Sequence, residues 1–234
     1  MNKYAVITGA SKGIGKATAE LLISGGYQVI NISRGECNVA GVLNLAIDMT
    51  VANWVQESGD ALLKMIGQPD ELVIVHNAAV LLKDTVETVT VEQFQEVLML
   101  NVTAPAVLTG LLRPVMGVGS SVLFVSSTLG HKAVANSCTY VTSKHALIGL
   151  MRSTCQDLAG TGVHTAAICP GFTDTEMLRS HIGTDPAVEQ SIASTIAMGR
   201  LIEPYEIAKV IVFCAQNPVV NGAIIDANLG QIEQ

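Results

Sequence analysis

Charge is scarce in this sequence: 14% of its 234 residues are charged and 49% are apolar. A disordered or solvating chain needs the opposite balance, so the length predicts one large or two small domains around a substantial core. Basic residues are outnumbered, 13 against 20 acidic ones, for a net charge of -7. That balance excludes general attraction to nucleic acid or to an anionic membrane surface, so an anionic ligand must be met locally. The cysteines, Cys37, Cys138, Cys155, Cys169 and Cys214, are odd in number and include no C-x-x-C pair. They suit reduced, mostly buried thiols rather than a disulfide framework or a zinc site. His76, His131, His145, His164 and His181 show no H-x-x-x-H or H-E-x-x-H arrangement, and no metal is expected. No run approaches the roughly 18 apolar residues of a membrane-spanning helix. The stretch "MNKYAVITGA" enters a strand-like segment almost at once, without a charged-then-apolar leader. A soluble, cytoplasmic protein is the expectation.

What the chain does have is a rhythm. Short apolar runs recur at 4–8, 28–33, 42–47, 72–76, 121–126, 163–168 and 223–226, each rich in Val, Ile, Leu or Ala. Near-continuous apolar content of this kind indicates strands buried on both faces, as in a parallel sheet. Between most of them the spacing turns helical: Ile148, Met151, Cys155 and Leu158 fall on one stripe, as do Phe94, Val97, Leu98 and, past Asn101, Val102. Strand and helix alternating predict right-handed βαβ units and an α/β doubly wound sheet with helices on both faces. No linker, charge block or short repeat divides the chain, so one domain over 1–234 is expected. The segment 172–197 breaks the rhythm with Gly183, Pro186 and several Ser and Thr residues. Placed after a strand, it is a candidate substrate lid or an ordinary surface helix pair.

Two local patterns carry chemistry. Directly after the first strand, "TGASKGIGKATAELL" sets Gly9, Gly13 and Gly15 in a T-G-x-x-x-G-x-G turn before a helix. Glycines there allow positive φ and close approach of backbone to ligand, and the helix amino end offers free N–H groups to a pyrophosphate. Further on, "TYVTSKHAL" holds Tyr140 and Lys144 four apart, on one helical face. A phenol near ~10 exchanges protons poorly at neutral pH, and an ammonium beside it is expected to lower that value. Asn77 after the fourth strand, Asn101, Ser127 thirteen residues before Tyr140, and "PGFTDT" after the sixth strand complete an ordered set.

With these motifs in this order, the sequence resembles the short-chain dehydrogenase/reductase family over essentially its full length. The resemblance implies a Rossmann-type sheet of about seven strands, a nicotinamide dinucleotide, and hydride transfer between a small-molecule carbonyl and its alcohol. It implies a catalytic set of Asn101, Ser127, Tyr140 and Lys144, with Tyr140 exchanging the proton, Ser127 holding the substrate oxygen, and Asn101 keeping a water in the proton relay. It implies cofactor contacts from Gly9, Ser11, Lys12, Gly13, Ile14 and Gly15, from Asn77 and Ala78, from Asp48 and Met49 near the adenine, and from Tyr140, Lys144, Pro170, Gly171, Thr173 and Thr175. Family members are commonly homotetramers, so a homotetramer or homodimer is expected, with Val107, Leu108 and Leu111 as a suitable apolar face. Two departures stand out: Ala79 where the family's N-N-A-G has glycine, and "DANLG" at 226–230 where a D-G-G turn is common.

The second strand ends in Ser33 and Arg34 rather than the acidic residue that binds adenosine ribose hydroxyls in NAD-preferring relatives. Serine does not repel a 2′-phosphate, arginine grips one bidentately, and Lys12 adds a second cation. NADP(H) is therefore expected over NAD(H). A non-catalytic dinucleotide-binding sensor on the same fold is the alternative, against which the intact tetrad argues. An epimerase or dehydratase would bring a larger C-terminal part.

Overall fold

Seven parallel strands form a single sheet in the computed structural model, which describes residues 1–232. They are β1 (Lys3–Thr8), β2 (Gln28–Ser33), β3 (Leu43–Ala46), β4 (Glu71–His76), β5 (Ser121–Val125), β6 (His164–Pro170) and β7 (Ala223–Ala227), in the order β3-β2-β1-β4-β5-β6-β7. The central strands are apolar along their whole length because both faces are covered. In β1, Val6 pairs with Ile30 of β2 on one side and Ile74 of β4 on the other, and all three are fully buried. The strand β3 differs from expectation: it has only β2 as a neighbour, and most of its residues stay exposed.

Two apolar layers sandwich the sheet. Helices α1 (Gly13–Ser24) and α8 (Pro204–Gln216) cover one face, where Ala19, Leu22, Ile207 and Ile211 pack on Ile7, Val29 and Val75. The other face carries α2 (Trp54–Ile66), α3 (Val91–Leu98), α4 (Ala104–Leu112) and α5 (Cys138–Asp157), whose Leu62, Leu108, Leu112 and Met151 meet Val6, Ile74 and Phe124. Each fully buried Leu or Ile in these layers contributes roughly 1.5–3 kcal/mol. The helical stripe expected on α5 is real: Ile148, Met151 and Leu158 are buried and Cys155 is half-buried.

The helix expected through Asn101 is interrupted. Between α3 and α4, Met99–Thr103 form a single π-helical turn, so the two helices join through a widened segment. The run Val91–Val115 is long and apolar enough to cross a membrane by length and composition, but its Val97, Ala104, Leu108 and Leu112 are buried against the sheet. Of the apolar face proposed for subunit contact, Leu108 belongs to the core, Leu111 packs against it beside Gly59, and Val107 is exposed. The segment 172–197 folds as α6 (Glu176–Ile182) and α7 (Pro186–Ala193), joined through Gly183 in a positive-φ turn. Arg179 braces the pair, donating to Asp174 at 2.7 and 2.8 Å and to Glu189 at 2.5 Å.

Candidate active site

The strand order turns outward in opposite directions from β1 and β4, which leaves a crevice at their carboxyl ends. A cleft of about 900 Å³ opens there. Its floor includes Gly9, Asn77, Val125, Tyr140 and Lys144; Met177, His181 and Ile182 of α6 form one wall.

The glycine turn is built by close approach. Gly9 and Gly13 have φ of +70° and +56°, which other residues rarely adopt. A Cβ on Gly15 would stand 2.4 Å from the Gly9 carbonyl oxygen and 2.6 Å from Asn77 Nδ2, so the Gly9 backbone and the Asn77 side chain leave no room for one. Asn77 Nδ2 donates to the carbonyls of Thr8 and Gly9, both at 3.0 Å, while Thr8 Oγ1 accepts from the amides of Asn77 and Ala78. From the other side, buried Asn31 accepts from Ala10 N at 2.9 Å and donates to Gly35 O and Asn44 Oδ1. The amino end of α1 follows with no side-chain cap and no acidic residue in its first turn. Such an end, with Gly9 before it and Gly13 and Gly15 in its first turn, fits the pyrophosphate of a dinucleotide.

At the adenosine end, Ser11 lies against Gly35, and Arg34 is largely exposed, 4.0 Å from Asp48. Asp48 is occupied locally: Oδ1 accepts from the Thr50 amide and hydroxyl, and these bonds hold its carboxyl below the usual range. It closes its own turn rather than capping α2. Lys12 reaches across the cleft to Glu176 at 2.5 Å. Thr175 caps α6 through Leu178 N and sets its methyl over Gly13, so the "PGFTDT" segment crosses directly above the glycine turn.

At the opposite end, α5 and the loop after β5 bring the chemistry together. Ser127 Oγ accepts from Leu129 N at 3.1 Å, which leaves its hydrogen free to donate. Lys144 is buried, donates to Val125 O at 2.8 Å, and lies 5.4 Å from the centre of the Tyr140 ring. The phenol does not follow the sequence expectation. Burial pushes Tyr140 up to about 12, with neighbouring Ser127 pulling the other way, and burial brings the Lys144 ammonium down to about 8. Within the protein's own groups, desolvation of the buried phenol outweighs the hydrogen bond from Ser127.

Asn101 is buried on the π turn. Its Oδ1 accepts from Val80 N at 2.9 Å, and its amide hydrogens go to Val80 O and Ser143 Oγ, each at 3.0 Å. With both donors committed, the side chain ties the strand-four loop to α5, and only acceptor positions remain to hold a water.

Three contributors escaped the sequence reading. Asn31 braces the glycine turn and Ser143 joins Asn101 to α5. Asp84 is buried and accepts from Thr139 N at 3.1 Å and from the Thr139 hydroxyl, pinning the amino end of the helix that bears Tyr140. A signal for Asp84 existed: the first turn of α5 has no capping side chain and no acidic residue of its own. The two departures from the family pattern also find places. Ala79 lies in the cleft with ordinary backbone, since Asn136 and Leu229 are the only non-glycine residues of positive φ among those described. In "DANLG", Asn228 packs on Gly171, and its Oδ1 accepts from Gly230 N and Gln231 N, turning Gln231 into the cleft wall.

Comparison with known proteins agrees with this architecture. A family profile described as enoyl-(acyl carrier protein) reductase matches residues 9–231. An acetoacetyl-CoA reductase of Shinella zoogloeoides is 30% identical, with 99% of each chain covered. A short chain dehydrogenase family protein of Francisella tularensis is 27% identical and superposes with a TM-score of 0.89 over 99% of both chains. An angucycline C-6 ketoreductase, LanV, solved with bound NADP, is 28% identical with a TM-score of 0.86 over 98% of this chain and 95% of its own. The chain belongs to the short-chain dehydrogenase/reductase family and is an oxidoreductase of that family.

Proposed function

We propose that this protein is an NADP(H)-dependent carbonyl reductase or alcohol dehydrogenase in which Tyr140 exchanges the proton with the substrate oxygen. The observation that carries the reading is that Ser127, Tyr140 and Lys144 line the same cleft as the uncapped glycine turn. The cleft they line would hold a nicotinamide dinucleotide, which when bound would supply or accept the hydride. The chain's own residues do the rest. In the reducing direction Tyr140 Oη donates its proton to the carbonyl oxygen, and in the oxidising direction it accepts one from the alcohol. Ser127 Oγ, its orientation set by Leu129 N, donates to the same oxygen as charge develops there. Lys144 keeps two N–H groups beyond the bond to Val125 O, and these suit ribose hydroxyls.

Support for the phosphorylated cofactor comes from Ser33, which brings no negative charge, and from the largely exposed guanidinium of Arg34. The relatives make an acyl thioester or a small ketone reasonable substrates, and a homo-oligomer remains part of the reading. NADPH consumption against ketones, aldehydes and acyl thioesters tests it. Tyr140→Phe should lower turnover about 10²–10⁴-fold while NADPH still binds. Wild-type turnover by that variant would remove Tyr140 from its assigned role.

A further inference from the structure

Outside the dinucleotide cleft proper, three ligating side chains of different chemistry converge at the carboxyl ends of β6 and β7. The nearest available atoms of His131, Cys169 and Asp226 all lie within 4.8 Å of one another. His131 Nε2 and Asp226 Oδ1 are 3.2 Å apart. They come from three separate elements: the short helical turn after β5, the end of β6, and the end of β7. From the geometry we propose a binding site for a borderline-soft divalent cation, Zn²⁺ above all, formed by His131, Cys169 and Asp226 beside Ser127.

Bond lengths of about 2.0–2.1 Å to nitrogen and oxygen put tetrahedral N and O ligands ~3.3 Å apart, so the His131–Asp226 separation already matches. The thiol, about 3.5 Å from its neighbours in such a site, needs a closure of about 1.3 Å at most, within the reach of side-chain rotation on the two half-exposed ligands. Cys169 is fully buried and forms the floor, whereas His131 and Asp226 have side chains 41% and 48% exposed, which gives the ion its way in. Imidazole, thiolate and carboxylate together select zinc over magnesium or calcium, and three protein ligands leave a fourth position to water. On binding, the S–H bond of Cys169 breaks, an S–metal bond forms, and one proton passes to solvent. No electron moves.

The site touches the catalytic apparatus through Cys169, which neighbours Ser126, Ser127 and Lys144. His131 begins the loop whose Val134, Ala135 and Asn136 line the cleft. Occupation would fix that loop and draw the sulfur from its serine neighbours, so zinc should inhibit.

The test titrates the full-length protein, freed of metal by chelator, with Co²⁺ and then Zn²⁺. Expected are one equivalent of Co²⁺ per chain, tetrahedral d–d bands with a thiolate charge-transfer band, and displacement by Zn²⁺. His131→Ala, on an exposed loop, should lose the bands and weaken Zn²⁺ binding at least ~100-fold, since even outer partners of a metal site are worth 10–100-fold. Asp226→Asn should do the same with the fold kept, as checked by circular dichroism. Absence of tetrahedral bands in the wild type would overturn the proposal. So would bands unchanged in both variants, which would place the ion on half-buried Cys138 or Cys155 instead. Because the readout is spectroscopic, the result stands whatever the outcome for the dehydrogenase reading.

Discussion

Lowering the pH should destabilise this protein through one buried imidazole, and the size of the effect follows from its surroundings. His76 ends β4, is 2% exposed, and lies against Phe124 at 4.9 Å between ring centres. Its Nε2 is 2.8 Å from Thr109 Oγ1, whose own hydrogen goes to Pro105 O. The threonine oxygen therefore accepts, Nε2 carries the hydrogen, and Nδ1 is buried without a partner among the described residues. A second proton would have to sit on that unpartnered nitrogen, and burial depresses the pKa from 6.5 to about 3. The unfolded chain binds the proton below 6.5 and the folded chain does not, so stability is full above pH 6.5 and falls as pH drops toward 3. At pH 5 the gap of 1.5 units corresponds to about 2 kcal/mol, from 1.36 kcal/mol per unit. His76→Asn keeps an N–H for Thr109 and carries no titratable group. Urea unfolding of both proteins at matched concentration, at pH 7.5 and pH 5, should show wild type losing about 2 kcal/mol more than the variant over that range. Equal losses in the two would refute the argument, because carboxylate titration is common to both.

Further outcomes are expected at the cleft. Asp84→Ala should slow turnover about tenfold and cost about 0.5–2 kcal/mol, as loss of a helix cap does, while Asp84→Asn restores most of the rate; unfolding curves and kcat measured side by side decide it. Arg34→Ala should weaken NADPH about 10–100-fold and leave NADH nearly unchanged, from the 1.5–3 kcal/mol of a charged hydrogen bond, and a clear wild-type preference for NADH would sink the cofactor assignment. Gly15→Ala should abolish the rise in melting temperature that NADPH produces, because its Cβ would enter the Gly9 carbonyl.

Sequence carried the strands of this fold because parallel strands covered on both faces leave unbroken apolar runs, and each expected run lies within two residues of an observed strand. β3 kept the apolar pattern without the burial, since its edge position depends on neighbours that no local pattern records. The Tyr140/Lys144 pair and the three glycines were legible from local spacing, whereas Ser127 was singled out only by the resemblance to the family. The widened turn at Asn101 was not, since a π turn uses residues that also suit an α-helix. Asp84 and Thr139 lie 55 residues apart, and only the folded chain shows that one caps the other. The depressed phenol expected from Tyr140 and Lys144 failed for a related reason: proximity of charges shows in spacing, and desolvation does not.

Asn77 has a thermodynamic consequence. By donating to both Thr8 O and Gly9 O, it closes the glycine turn from within, before any ligand arrives. Fixing a residue's backbone costs about 1–2 kcal/mol in entropy, and for these residues that loss belongs to folding. A dinucleotide then meets a preorganised surface, and its contacts appear more fully as affinity. Cutting the clasp with Asn77→Ala should therefore show in calorimetry as a larger entropic penalty on binding rather than as missing enthalpy.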